Sequence, residues 1–227
     1  MPRCCYHDEY GEVFPPAEAA SQARRFRRRG LAGTDARLVS MLRAEGVADA
    51  HVLEVGGGVG DVLVALFDAG AAHAIDVDLS PSWVEAARRF VDEHGYGERF
   101  EARAGDFVDE AALLPEVDVV ILNRVVCCYP DMDAMLAAAA GRSRRVLALV
   151  YPADRWTNRA AIAIANLWFR LRRLQFRVFV HPEASMRSVL RAAGMEVVRQ
   201  RSGVVWRTVV LTRSPALPSL RSHPEQS

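Results

Sequence analysis

Five residues raise the first chemical question. Glu54, Gly56, Gly57, Gly58 and Gly60 fall in the string V-L-E-V-G-G-G-V-G, from Val52 to Gly60. An apolar run that ends in an acid and then in four glycines within five positions is how a buried strand turns sharply against a ligand and enters a helix. Spacing then separates the ligands such a turn can serve. A dinucleotide fingerprint, G-x-G-x-x-G, needs a small third residue to pack helix on strand, whereas counting from Gly56 and Gly58 its sixth position here is Asp61. The G-x-G-x-G arrangement behind Glu54 therefore does not fit a dinucleotide.

The elements that must hold this turn alternate along the chain. His51 to Val55 reads as a first strand, Asp61 to about Asp68 as a helix, and about His73 to Val77 as a second strand delivering Asp78. Ser80-Pro81 starts the next helix, Ser80 as its cap and Pro81 where a missing N–H costs little. Strands at about Phe100 to Ala104, Val117 to Leu122 and Arg145 to Val150 follow, with a helix from Asp131 to Ala140 between the last two. Glu196 to Gln200 and Val204 to Thr212 close the series around a turn at Ser202-Gly203. Such alternation, with nearly continuous apolar strands, predicts a parallel sheet covered by helices on both faces. Ahead of it, Glu18 to Arg29 reads as a helix stopped by Gly30, and Thr34 or Asp35 caps another that runs to about Glu45.

With these elements in order, the chain resembles the class I S-adenosylmethionine (SAM) dependent methyltransferases, whose first motif is an acid followed by G-x-G-x-G. The resemblance covers about Val52 to Arg213. It implies an α/β, Rossmann-like fold with a seven-stranded, mostly parallel sheet, the last strand inserted antiparallel. It places Gly56, Gly57, Gly58 and Gly60 against the methionine part of SAM, and Glu54 on its ammonium group, directly or through water. Asp78 and Leu79, in a D-L-S-P string close to the family's D-I-S-P, fall on the ribose hydroxyls, with Asp76 as competitor on the same strand face. Gly105-Asp106-Phe107 resembles the element in which the acid meets the adenine amino group and its neighbour packs on the ring. Asn123 ends the fourth strand, where the fold meets both donor and acceptor.

The acceptor side is less familiar. N-R-V-V from Asn123 is not the [DNS]-P-P-[YFW] motif of nucleic-acid amino methyltransferases, which argues against a base as acceptor. Arg124 suits a carboxylate or another anion, and equally suits a structural ion pair. The string from Arg124 to Pro130 resembles the D-V-L-I-H-Y-P segment of magnesium protoporphyrin methyltransferases at Tyr129 and Pro130, but holds Arg124 and Cys128 where that segment has Asp and His. The porphyrin substrate is therefore not carried over. Candidate catalytic residues are Arg124, Tyr129 and His181; no general base is identified, and Tyr129 and His181 are the residues placed to act as one. Tyr6, Tyr10, Phe14 and Trp206 are further aromatic candidates. Trp156 to Phe176 reads as a long apolar helix, either covering a flat or lipid-like acceptor or packing as core or dimer interface.

Composition bounds the rest. A chain of 227 residues, 51% hydrophobic, builds one large domain. The expected division is a helical extension over 1–46, a methyltransferase domain over 47–213 and a disordered tail over 214–227. A formal charge of +1 argues against coating nucleic acid. All 29 basic residues are arginine, so the run from Arg24 to Arg29 reads as a solvated helix face before a phosphate site. Cys4-Cys5 and Cys127-Cys128, with His7, lack C-x-x-C spacing and read as free thiols, with no metal expected; a thiophilic acceptor is the alternative. No signal-peptide pattern or membrane span is visible, which predicts a cytoplasmic enzyme with SAM as methyl donor and a small-molecule acceptor, its oligomeric state open and a homodimer included. The alternatives are a non-catalytic SAM-binding or nucleic-acid-associated protein of the same fold, and a nicotinamide-dependent oxidoreductase.

Overall fold

The computed structural model describes residues 9–214. Cys4, Cys5, Tyr6, His7 and the tail beyond Ser214 lie outside the described residues, as does the side chain of Tyr10. Within them, β1 (His51–Val55), β2 (His73–Asp78), β3 (Phe100–Ala104), β4 (Val117–Asn123), β5 (Ser143–Pro152), β6 (Met195–Ser202) and β7 (Trp206–Arg213) form a seven-stranded sheet ordered β3-β2-β1-β4-β5-β7-β6. The pairings among β1 to β5 are parallel, whereas β7 lies antiparallel between β5 and β6. The order reverses between β1 and β4. In an open parallel sheet the loops leaving two such strands diverge to opposite faces, and the crevice between them takes the ligand.

Alternating side chains of the central strands feed two cores. Leu53, Val55, Val77 and Leu122 pack on one face with Leu136 of α7 (Met132–Arg142) and Leu190 of α9 (Glu183–Ala192). Val52, Val119, Ile121 and Ala148 pack on the other with Leu38 and Leu42 of α3 (Gly33–Ala44), Leu63 of α4 (Asp61–Phe67) and Phe90 of α5 (Pro81–Glu93). Both faces being apolar explains why these strands read as continuous hydrophobic runs. Ala19 and Ala23 of α2 (Pro16–Arg29) join the second core, so the N-terminal helices share it. The arginines from Arg24 to Arg29 stay exposed, and Arg27 pairs with Glu93 of α5. Two short turns of helix, α1 (Tyr10–Val13) and α6 (Phe107–Glu110), flank the crevice.

Three local expectations need correction. α3 begins at Gly33 after Ala32, with no side-chain cap; Asp35 lies inside its first turn and turns instead towards Asn123 and Arg124. Ser80 occupies the N-cap position of α5 but makes no cap hydrogen bond; its N–H donates to Asp78 Oδ1 at 2.8 Å. The helix from Trp156, α8, ends at Leu171 rather than Phe176. Arg173 takes a left-handed φ of 61° there, and the chain turns back to bury Phe176. Among the described residues no helix is long and apolar enough to cross a membrane.

Candidate functional site

The glycine turn leaves β1 at the crevice, with the Gly56 N–H donating to the Val77 carbonyl at 2.8 Å and the Gly60 N–H to the Gly57 carbonyl at 3.0 Å. Gly56, Gly58 and Gly60 adopt φ of 64°, 65° and 79°, a region that side chains with a Cβ rarely enter. Gly57 is required for a different reason: a Cβ there would stand 2.8 Å from Asp76 Oδ1 and 3.1 Å from Glu54 Oε2. Beneath the turn, Gly57 N–H donates to Asp76 Oδ1 at 3.0 Å. Glu54, opposite Asp76 in the parallel register, is fully buried, and neither of its carboxylate oxygens has a partner.

Two connected spaces open above this floor, sharing Gly56, Val125 and Cys128. One is a narrow, mainly apolar slot walled by Val55, Val77, Leu79, Phe107 and Met135, with Asp106 as its acid. The other is a cleft of about 230 Å³ bearing the carboxylates of Glu18, Asp35, Asp61 and Asp78 against the guanidinium of Arg124. The slot suits a flat apolar ring with an amino edge. The acidic cleft suits a cationic group and a diol.

Burial controls the charge state of these acids. It raises the Glu54 carboxyl well above its ordinary value, and nearby Asp76, Asp61 and Asp35 push the same way. Burial raises Asp76 likewise, with Asp78 adding to it. Asp78 itself is pushed up to about 6 by burial, opposed by the Ser80 N–H. Asp61 is raised by burial, while a hydrogen bond from Gln22 Nε2 at 3.1 Å works against the shift. Buried carboxyls whose pKa values are raised in this way favour a cation beside them, and an ammonium group would complete their pairing. The orphaned oxygens of Glu54 and the close packing at Gly57 thus fit SAM.

The acceptor-side candidates separate. Arg124, at a left-handed φ of 65°, donates from a terminal nitrogen to Asp35 Oδ1 at 2.5 Å and lies over the Trp206 ring at 5.5 Å. Asn123 Nδ2 donates to the same oxygen at 3.1 Å. Tyr129 is buried in the slot, where its hydroxyl reaches both Asp106 oxygens at 3.1 Å. His181 lines neither space: its Nε2 donates to the Val126 carbonyl at 3.0 Å and to that of Tyr129 at 3.2 Å, and burial lowers its pKa. Cys127 and Cys128 stand with their sulfurs 3.7 Å apart, and Cys128 faces both spaces. Among the described residues no three His, Cys, Asp or Glu side chains gather as a metal site.

Several residues here escaped the sequence reading. Gln22 of α2 covers Gly58, whose Cβ would meet the Gln22 amide at 3.0 Å. Trp83 was not singled out; it lines the cleft beside the aromatic candidate Phe14, and its Nε1 donates to the Phe14 carbonyl at 2.9 Å. Glu9 Oε2 accepts the N–H groups of Gln175 and Phe176 at 2.6 and 3.0 Å, tying the N-terminal segment to the loop after α8. Contacts across 39 or 166 residues leave no local pattern for periodicity to detect.

Comparison with known proteins agrees with this geometry. Residues 52–148 match the family described as Methyltransferase domain. A magnesium protoporphyrin IX methyltransferase from Synechocystis superposes with a TM-score of 0.67 at 22% identity, over 89% of this chain and 99% of that one. An O-methyltransferase family protein from Burkholderia thailandensis also gives 0.67 at 22%, over 90% of this chain and 62% of its own. An O-methyltransferase family 2 protein from Planctomyces limnophilus gives 0.64 at 16%, over 88% and 62%. At these identities the superpositions establish the fold. Residues 52–148 match a methyltransferase domain, and the chain builds that stretch into a seven-stranded sheet whose fold it shares with these structures.

Proposed function

We propose that the protein transfers the methyl group of SAM to a small-molecule acceptor that presents an anionic group, such as a carboxylate, to Arg124 and an apolar or aromatic body to Phe14, Trp83 and Val125. The observation that carries this reading is the cleft itself. Its donor-side acids stand along one wall, and its guanidinium stands where β4 ends. Arg124 keeps a left-handed backbone that costs roughly 1–3 kcal/mol, a strain that persists at sites where side-chain direction matters. Its Nε is buried without a partner. An acceptor oxygen placed there would complete the hydrogen bonding of that group.

Each donor-side residue has a task of its own. The Gly56–Gly60 turn and Glu54 receive the amino-acid end, Asp78 and Leu79 the ribose, and Phe107 and Asp106 the adenine. Asn123 stands between donor and acceptor. Tyr129, through its hydroxyl on Asp106, orients the adenine-side carboxylate. SAM supplies an activated methyl group, open to in-line displacement. What remains for the protein is alignment and exclusion of water, which in favourable intramolecular cases contribute about 7–11 kcal/mol. An acceptor that is already a carboxylate needs no general base, and His181, bound to two carbonyls, is not free to act as one.

The reading is tested by calorimetric titration with SAM and S-adenosylhomocysteine, followed by an acceptor screen with labelled SAM on wild type and Arg124→Met. Transfer to carboxylate-bearing acceptors that Arg124→Met loses, with SAM affinity kept, supports it. Transfer to neutral acceptors that ignores the substitution would overturn the role of Arg124.

A further inference from the structure

The outward face of α8 has no counterpart in the cleft's chemistry. Spacings of three and four place Trp156, Ala160, Ala163, Ile164, Leu167 and Leu171 on one side of this helix. Trp156 is 79% exposed, Ile164 70%, Leu167 55% and Leu171 75%, with Trp168 half-exposed on the flank. The opposite side holds the helix to the protein. Asn158 donates to the carbonyls of Ala153 and Val205 at 2.8 and 3.0 Å, Asn166 exchanges two hydrogen bonds with the backbone of Val178, and Phe169 packs edge-on against Phe176 at 5.3 Å. The apolar ridge is therefore not needed to fix the helix, and a contiguous exposed ridge of this kind marks an interaction surface.

Charge indicates what covers it. From Trp156 to Arg177 the sequence holds Arg159, Arg170, Arg172, Arg173 and Arg177 and no acidic residue. Arg159 is paired with Asp154 at 2.7 Å, and Glu9 approaches the backbone at Gln175, but among the described residues no ion pair involves Arg170, Arg172 or Arg173. Arg172 lies 4.9 Å over the Trp168 ring, at the helix end where basic and aromatic groups meet. Arginines along an apolar ridge bordered by tryptophans suit the headgroup boundary of an anionic bilayer, in which such a helix lies flat. Sixteen residues are too few to span it. A nucleic acid would leave the ridge in water.

We infer that α8 is a membrane-surface helix, docking the protein on anionic lipid through Trp156, Ile164, Leu167 and Leu171, with Arg170, Arg172 and Arg173 on the headgroups. This goes beyond the methyl-transfer reading and does not depend on it. Ring contacts from Phe169 of the helix through Phe176 to Phe14 link it to the wall of the cleft.

The test is co-sedimentation of the full chain with phosphatidylcholine vesicles, with and without phosphatidylglycerol, alongside tryptophan emission. Binding about 10-fold or more stronger to the phosphatidylglycerol vesicles, weakened by salt and accompanied by a blue shift, is expected. Ile164→Asp/Leu167→Asp and Arg170→Glu/Arg172→Glu should each lose it while keeping the wild-type circular dichroism and melting temperature. A form lacking residues 215–227 should bind as wild type does. No binding to anionic vesicles would overturn the inference, as would full binding by Ile164→Asp/Leu167→Asp. A wild-type dimer in sedimentation velocity that this double substitution converts to monomer, with no lipid binding, would assign the ridge to a second copy instead.

Discussion

The guanidinium of Arg124 lies 2.5 Å from the carboxylate of Asp35, a contact that joins the end of β4 to a helix 89 residues earlier. Asn123 donates to the same oxygen, so one acid from the N-terminal helices fixes two consecutive residues at the end of β4.

Removing that acid with Asp35→Ala should loosen the wall while leaving the donor side in place. Arg124 is about a third exposed, at 35%, so water recovers part of the lost interaction, and a stability loss of roughly 1 kcal/mol is expected. The informative readout is kinetic: KM for the acceptor should change several-fold, with SAM affinity shifting by less. Equal changes in both would show that Asp35 organises the whole cleft.

Asp78→Ala should weaken SAM binding by about 10²-fold, the loss of two charge-assisted hydrogen bonds to a diol at roughly 1.5 kcal/mol each. Calorimetry reads this directly. An unchanged affinity would refute the ribose assignment and move it to Asp76.

Gly57→Ala places a methyl 2.8 Å from Asp76 Oδ1 in a fully buried setting. Overpacking of this kind costs about 1–3 kcal/mol. Denaturant unfolding should show the loss. SAM binding should fall with it, because the displaced turn lines the cleft at Gly56, Gly57 and Gly58.

The pH dependence follows from the raised carboxyls. The folded-state pKa of Asp78, about 6, exceeds the unfolded value near 3.8, and Glu54, Asp76 and Asp61 shift in the same direction. A group raised on folding contributes stability that is present at low pH and lost as pH rises through its folded pKa. The ligand-free protein should therefore melt at a lower temperature at about pH 8 than at about pH 6. SAM, bringing a cation to these acids, should bind more tightly as pH rises through that window. A flat SAM affinity across it would mean that the acids do not meet the ligand.

Tyr129→Phe keeps the ring that fills the slot and removes the hydroxyl from Asp106. A loss of about 1 kcal/mol is expected, with a several-fold rise in the Kd for SAM. Adenosine binding would separate an adenine-side effect from a general one.

The parallel strands and the glycine turn were legible because each rests on local chemistry, namely apolar strands and left-handed glycines, whereas the antiparallel last strand came from the family resemblance. Glu54, Asp78 and Asp106 stood out because each lies at or just beside the end of a strand. Asp35 misled for an equally physical reason. A short acid near a helix start caps in the absence of other partners, and only the folded chain brings Arg124 to it. Gln22, Trp83 and Phe14 carry no motif, because their roles arise from packing α2 and the N-terminal segment across the crevice. The similarity of Arg124 to Pro130 to one segment of the porphyrin enzymes became, in three dimensions, a shared fold over 89% of the chain. It still leaves the acceptor to be found from the cleft.

The antiparallel strand β7, inserted between β5 and β6, has a consequence for anyone who dissects the protein. The methyltransferase match stops at residue 148, in the middle of β5, whereas the hydrogen-bonding partner of β5 is the last strand made, and Trp206 at its start supports Arg124. During synthesis the acceptor wall stays unfinished until β7 emerges. Until then β5 presents an open, apolar edge, the kind of edge on which chains aggregate. A fragment cut at the boundary of the match should be insoluble rather than a minimal enzyme. The portable unit is the whole sheet through Arg213.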